Sequence, residues 1–202
     1  GAWDKAIIIP GPHGILRGAS FAAPPIRAIE TLKPASVREI GPRSAVYDLG
    51  QNAPLLLRLA VRGPAGSSVR IIPAELVKSD GTVDRQSVGG GLAYWQYTLS
   101  GAGSETFVSK FFYHGARYLQ VELSPAEAGA GYPEVDSLEG IVVHSSAAPA
   151  GEFVCSSELF NRIRTLIRWA QRANMMRLIT DCPHREKLGW LEQYHLNGPS
   201  LR

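Results

Sequence analysis

From Ile26 to His144, short apolar runs alternate with breaks that contain Gly or Pro, at intervals that suit strands. The alternation is strict between Leu55 and Val61. Leu55, Leu57, Leu59 and Val61 point one way, and Arg58 points the other. Val46 to Leu49 reads as a separate strand closed by Gly50. Gly63-Pro64-Ala65-Gly66 and Ser79-Asp80-Gly81 read as turns flanking a run from Val69 to Leu76. Phe107 to Tyr113, Arg117 to Leu123 and Leu138 to His144 continue the pattern, and Leu119, Val121 and Leu123 share a face. Residues 124–137 are polar and rich in Pro, Gly and Ala, which predicts a loop. Strands of this number and spacing predict an antiparallel β-sandwich of jelly-roll type over residues 26–146. Residues 1–25 carry little periodicity and read as an extended segment or linker.

After a Pro/Ala/Gly-rich linker at 147–155, the period changes. Leu159, Ile163, Leu166, Ile167, Ala170 and Ala173 fall at helical spacing. Ser156 or Ser157 suits the N-cap and Glu158 the first turn, so a helix is expected to run to about Arg177. Arg162, Arg164, Arg168 and Arg172 read as its solvated face. A second helix is expected from His184 to about Leu196, before Asn197-Gly198-Pro199.

Composition narrows the picture. At 202 residues, with 45% hydrophobic and 19% charged residues, the chain is globular and long enough for one full core plus part of another domain. The net charge of +3 is small and scattered, which argues against nucleic-acid binding and is compatible with an acidic polysaccharide. No apolar run approaches the length of a membrane span. Cys155 and Cys182 lack metal-binding spacing and read as two buried thiols rather than a bridge. No metal and no cofactor is expected. A periplasmic or secreted location is favoured over the cytoplasm, because the chain does not begin with Met and a leader has room to have been removed.

Two stretches invite chemistry that the bland reading outweighs. Gly89-Gly90-Gly91 lacks the Gly-Lys-Ser/Thr ending of a phosphate loop, so a flexible hairpin loop is expected. Tyr94, Trp95 and Tyr97 are placed in the core and its cross-strand partners rather than on a sugar platform.

The densest chemistry lies in Thr180-Asp181-Cys182-Pro183-His184-Arg185-Glu186-Lys187-Leu188-Gly189-Trp190-Leu191-Glu192-Gln193. Pro183 disfavours helix at Cys182 and suits the first turn of a new one, so the polar groups gather at a loop-to-helix junction. If the helix starts at His184, Glu186 and Trp190 share a face four residues apart. An acid above an aromatic platform suits a sugar: one group protonates an oxygen, the other covers an apolar ring face. The competing reading is charge complementing a helix dipole. His184 and His195 read as polar histidines with satisfied hydrogen bonds.

Asp181-Cys182-Pro183-His184-Arg185 followed by Glu186-Lys187-Leu188-Gly189-Trp190 resembles the signature of the bacterial α-L-rhamnosidases, glycoside hydrolase family 78. Val143-His144-Ser145-Ser146, Gly151-Glu152-Phe153-Val154-Cys155-Ser156 and Leu159-Phe160-Asn161 resemble that family's run into its catalytic barrel. Tyr47-Asp48-Leu49-Gly50-Gln51-Asn52, Val61-Arg62-Gly63-Pro64-Ala65-Gly66 and Phe112-Tyr113-His114-Gly115-Ala116-Arg117-Tyr118 resemble its β-sandwich. The resemblance runs with gaps from about Ile26 to the end.

The resemblance implies that residues 156–202 are the first helices of an (α/α)6 catalytic barrel. Two helices do not close such a barrel. The chain is therefore expected to be a piece of a larger protein, or to be completed by a partner chain, and to be inactive alone. The implied activity is removal of terminal α-L-rhamnose from glycosides or polysaccharides with inversion. Inversion uses an acid and a base carboxyl ~6.5–9.5 Å apart. Glu186 matches the family's general acid. Asp181 and Arg185 match residues that bind rhamnose hydroxyls, and Trp190 matches an aromatic wall. The general base is expected beyond Arg202. Two departures bear on which sugar is held. Many members carry one more acidic residue before the glutamate, and many carry an acid where this chain has Gln193. The rival readings are a non-catalytic carbohydrate-binding module and a purely structural sandwich.

Overall fold

The computed structural model describes residues 4–11, 13–15, 18 and 24–198. The described residues before Ile26 are exposed and carry no helix or strand. The sheet begins with β1 (Ile26–Leu32) and β2 (Ser36–Gly41), and its spine is β3 (Ser44–Arg62). It is completed by β4 (Ser68–Ala74), β7 (Trp95–Thr98), β8 (Ser104–Val108), β9 (His114–Ser124) and β10 (Glu134–Ser145), while β5 (Leu76–Val77) and β6 (Val83–Asp84) pair as a separate small hairpin. Every pairing is antiparallel.

β3 makes the sheet curl. Its first half pairs with β2 and β9, and β9 continues through β4 to β7. Its second half pairs with β10 and β8, and β10 continues to β1. The two expected strands, Val46–Leu49 and Leu55–Val61, are thus one 19-residue strand. Gly50 does not end it. Gly50 takes φ 76°, its N–H donates to Asp48 Oδ1 at 2.7 Å, and the register with β9 slips between Asp48 and Ala53. A bulge turns the strand from one layer to the other.

The predicted alternation appears between these layers. Leu55, Leu57, Leu59 and Val61 are fully buried, in one cluster with Val69, Ile71, Trp95, Leu119, Val121, Leu138 and Val142. Fully burying a Leu or Val contributes about 1.5–3 kcal/mol, so this single cluster dominates the fold's stability. Trp95 and Tyr97, two residues apart on β7, both face it. Trp95 Nε1 donates to the Phe112 carbonyl at 3.1 Å, and Tyr97 stacks on Phe107. Tyr94 is exposed beneath the Arg70 guanidinium.

Other boundaries moved. Strand β8 stops at Val108 rather than Tyr113, because Ser109 turns its hydroxyl to accept the Leu57 N–H at 2.8 Å. The loop after β9 ends at Pro133, since β10 reaches back to Glu134 to meet Arg62. Gly89 and Gly90 cap a 3-10 turn, Arg85–Val88, from the left-handed region, in place of a flexible hairpin loop.

Beyond the sheet, α1 (Glu158–Asn174) begins where Ser157 predicted, but Ser157 makes no side-chain cap bond. It stops three residues before the expected Arg177. Met175–Met176 (β11) folds back onto Leu178–Ile179 (β12), with Arg177 at φ 65° between them. The arginine face of α1 is not simply solvated. Arg172 donates to Glu30 and, at 2.9 Å, to His144 Nε2, and it stacks on Trp169. Arg164 donates to the Gly151 carbonyl. The helix lays this edge on the sandwich, while Leu159, Phe160, Ile163, Leu166 and Ile167 stay exposed. Among the described residues, no helix is long and apolar enough to cross a membrane.

Candidate active site

The second helix, α2 (Leu191–Asn197), is seven residues long and begins after Trp190. The helix expected from His184 is absent: residues 181–190 form a closed loop. Glu186 and Trp190 therefore do not share a helical face, and their meeting has another cause. The Asp181 N–H donates to the Leu188 carbonyl at 3.0 Å, and the Leu188 N–H returns to Asp181 Oδ1 at 3.0 Å. Oδ1 also accepts the Cys182 N–H at 2.7 Å. Lys187 takes φ 57°, outside the helical region, and closes the loop. One carboxylate thus satisfies the backbone donors that a helix would have used.

Asp181 Oδ2 accepts the indole N–H of Trp190 at 3.2 Å, and the Glu186 carboxyl lies close enough to Asp181 to bear on its charge. Partial burial pulls the Asp181 carboxyl upward. The nearby Glu186 and the bonds from Leu188, Cys182 and Trp190 outweigh it and hold Asp181 well below the usual carboxylate range. Arg185 pairs with Glu186 at 3.2 Å, both side chains being largely exposed, and its stem lies over Gly89, where a Cβ would collide with it. Asp181, Arg185, Glu186 and Trp190 are accordingly one connected group. Asp181 and Gln193 also line a cavity of about 230 Å³ under α1, with Thr180 and Asn174. Arg185, Glu186 and Trp190 do not line it.

The sandwich holds this loop in place. The Gly115 N–H donates to the Pro183 carbonyl at 2.9 Å, and Lys187 Nζ donates to the Tyr113 carbonyl at 2.6 Å over the rings of Phe112 and Tyr113. Burial lowers the Lys187 ammonium and pushes the Tyr113 phenol up to about 12, the Cys182 and Asp181 charges adding to the latter. His184 reaches Glu75 at 3.5 Å and lies 6.1 Å from the His114 ring. Its Nδ1 is buried with no hydrogen-bond partner among the described residues, which corrects the expectation of a satisfied histidine. Burial first, then Arg185 and Lys187, lowers His184, which favours the neutral ring. His195 is exposed in the last turn of α2. Cys155 and Cys182 are unpaired thiols, each half-buried, and Cys182 Sγ accepts the Glu186 N–H. Among the described residues, no three His, Cys, Asp or Glu side chains gather as a metal site. The supports Tyr113, Gly115 and Glu75 have no signal in the sequence that ties them to the loop, because they lie some 70 to 110 positions away along the chain.

Comparison with known proteins follows this division. Residues 38–144 match the family model described as the bacterial α-L-rhamnosidase concanavalin-like domain. Residues 148–202 match that of the bacterial α-L-rhamnosidase 6 hairpin glycosidase domain. An α-L-rhamnosidase of Streptomyces avermitilis is 37% identical over 177 residues, 87% of this chain and 17% of its own length. One from Formosa agariphila is 30% identical, over 85% of this chain and 18% of its own. Among solved structures, the α-L-rhamnosidase from Dictyoglumus thermophilum superposes with a TM-score of 0.80 at 37% identity, over 88% of this chain and 20% of that one. The Streptomyces avermitilis enzyme complexed with L-rhamnose gives 0.78 at 35%, over 89% and 17%. The chain thus spans under a fifth of the curated relatives it matches.

Proposed function

Because this chain belongs to the bacterial α-L-rhamnosidase family, we propose that it is the sandwich and first catalytic segment of a glycoside hydrolase that removes terminal α-L-rhamnose with inversion. The observation that carries the reading is the convergence of the Glu186 carboxyl and the Trp190 indole on one carboxylate, Asp181.

In this reading Glu186 is the general acid. It gives its proton to the glycosidic oxygen as the bond from that oxygen to the anomeric carbon breaks. A water attacks the opposite face of the sugar, losing its proton to a base carboxylate, and the configuration inverts. Asp181 is not that base. Three hydrogen bonds, from Cys182, Leu188 and Trp190, stabilise its anion, which makes it a weak proton acceptor. Asp181 and Arg185 hold sugar hydroxyls, and Trp190 covers an apolar ring face. The base comes from the remainder of the barrel, whether in the same parent chain or a second chain. The uncovered apolar faces of α1 and α2, including Leu159, Leu166, Leu191 and Leu196, support a partner of that kind. The substrate is a rhamnose-containing glycoside or polysaccharide, in keeping with the L-rhamnose bound to the Streptomyces avermitilis relative.

The sandwich serves in this reading as a support. Its density of aromatics is spent on the core, as Trp95 and Tyr97 illustrate, and its contacts with residues 183–187 hold the acid's loop.

The test is Glu186→Gln in the complete protein, assayed on an aryl α-L-rhamnoside. The expected result is a loss of about 10²–10⁴-fold in turnover with unchanged thermal melting. Near-full activity removes Glu186 from the acid role.

A further inference from the structure

We propose that Lys187 is a positioning residue for the acid: its ammonium, docked on the Tyr113 carbonyl and against the rings of Phe112 and Tyr113, fixes the direction in which the neighbouring Glu186 carboxyl points. The proposal rests on Glu186 being the general acid.

Lys187 sits in the middle of the loop, yet its side chain turns into the sandwich and is half-buried. A buried ammonium ordinarily takes a carboxylate partner. Among the described residues, no carboxylate stands within ion-pair distance of Nζ. It has instead one carbonyl at 2.6 Å and two ring faces, with centroids at 4.7 Å for Phe112 and 4.3 Å for Tyr113. Ring faces and a carbonyl oxygen present negative potential from fixed directions, so they locate the cation as well as hold it.

The receiving surface is itself fixed. The Phe112 carbonyl accepts the Trp95 indole N–H, and the Phe112 ring packs on Trp95 at 5.3 Å. Trp95 belongs to the buried cluster. A continuous path of contacts therefore runs from the core through Phe112 and Tyr113 to Lys187.

The backbone transmits this to Glu186. A non-glycine residue at φ 57° is in a conformation disfavoured by its own Cβ, and needs outside support to persist. That conformation sends the Lys187 side chain to the sandwich while the preceding Glu186 side chain faces Asp181. With the Lys187 anchor gone, the strained residue can relax and rotate the Glu186 peptide. A displacement of about 1 Å in a group that must meet a reacting atom costs about 100-fold in rate.

The experiment compares Lys187→Met, Lys187→Arg and Glu186→Gln in the complete protein, on two α-L-rhamnosides: an alkyl glycoside and a dinitrophenyl glycoside. An alkoxide leaves poorly and depends on the acid's proton, whereas dinitrophenolate leaves without much help. For Lys187→Met we expect kcat on the alkyl glycoside to fall about 100-fold with KM little changed, and kcat on the dinitrophenyl glycoside to fall by less than about 5-fold. Lys187→Arg keeps charge and ring contact, and recovers most of the loss. An equal loss on both substrates, a loss confined to KM, or an unchanged kcat overturns the proposal. If Lys187→Met does not fold, Tyr113→Leu decides the matter, since it retains the carbonyl and removes a ring. The same leaving-group dependence at smaller size supports the proposal, and its absence there ends it. Glu186→Gln separates the two ideas. An inactive Glu186→Gln beside an unaffected Lys187→Met leaves the acid and removes the anchor, whereas an active Glu186→Gln removes both.

Discussion

Gly115 meets Pro183 so closely that the two segments touch backbone to ring. The Gly115 N–H donates to the Pro183 carbonyl at 2.9 Å, and a Cβ on Gly115 would collide with the pyrrolidine. Gly115 does not have a positive φ, so its lack of a side chain serves this approach and not a turn. The contact joins the edge of a buried strand to the loop that carries Asp181, Arg185 and Glu186.

Gly115→Ala should therefore act at a distance. The added methyl pushes Pro183 outward and carries the loop with it. We expect a destabilisation of about 1–3 kcal/mol from overpacking, and a fall in rhamnosidase turnover of about 10–100-fold. Thermal melting and kcat in the complete protein check this. Unchanged values in both would mean that the loop gives way freely.

Asp181→Asn is not a conservative change in this loop. Asp181 accepts N–H groups on both oxygens, from Cys182 and Leu188 on one and from Trp190 on the other. An amide accepts on one side only, so either orientation sets donor against donor. We expect a cost of about 1–2 kcal/mol, limited by solvent access, and faster hydrogen exchange at the Leu188 amide. Exchange as slow as in the wild type would show that the loop does not depend on this carboxylate.

His114 makes stability depend on pH. It is buried, its Nδ1 donates to the Gly115 carbonyl at 2.8 Å, and Lys187 and His184 face it. Burial, with the Lys187 and His184 charges, lowers it to about 4 from the ordinary 6.5. Between those values the unfolded chain binds a proton that the folded one refuses. Stability is thus fully present above about pH 6.5, is lost as pH falls towards about 4, and levels off below that as far as this group is concerned. The loss attributable to His114 is on the order of 1–3 kcal/mol. Urea unfolding at pH 7 and pH 4.5, with and without His114→Gln, measures it. A slope identical in the variant would assign the effect to other groups.

Much of the molecule was legible from the chain alone. The burial of Leu55, Leu57, Leu59 and Val61 follows from their spacing, because a strand sends alternate side chains to opposite faces whatever surrounds it. The inward placement of Trp95 and Tyr97, the start of α1 at Glu158 and the family resemblance of residues 181–190 were equally local. The role of Gly50 is not legible in this way, because a glycine that ends a strand and one that bulges it look alike until the partner strand is known.

The stretch from Asp181 to Trp190 marks the divide. Its resemblance to the family signature points to Asp181, Arg185, Glu186 and Trp190, because a signature is a property of sequence. Their geometry was not legible, because periodicity favoured a helix while a single carboxylate, Asp181, satisfied the backbone donors of a closed loop instead. The arginine edge of α1 differs from its solvated appearance for a related reason: Glu30 and His144, far back in the chain, lie opposite Arg172. Local sequence sets which conformations and which faces are available at low cost. The choice among them fell to partners remote along the chain, such as Tyr113 for Lys187 and Gly115 for Pro183, whose contacts outweigh local preference by a few hydrogen bonds and a close fit.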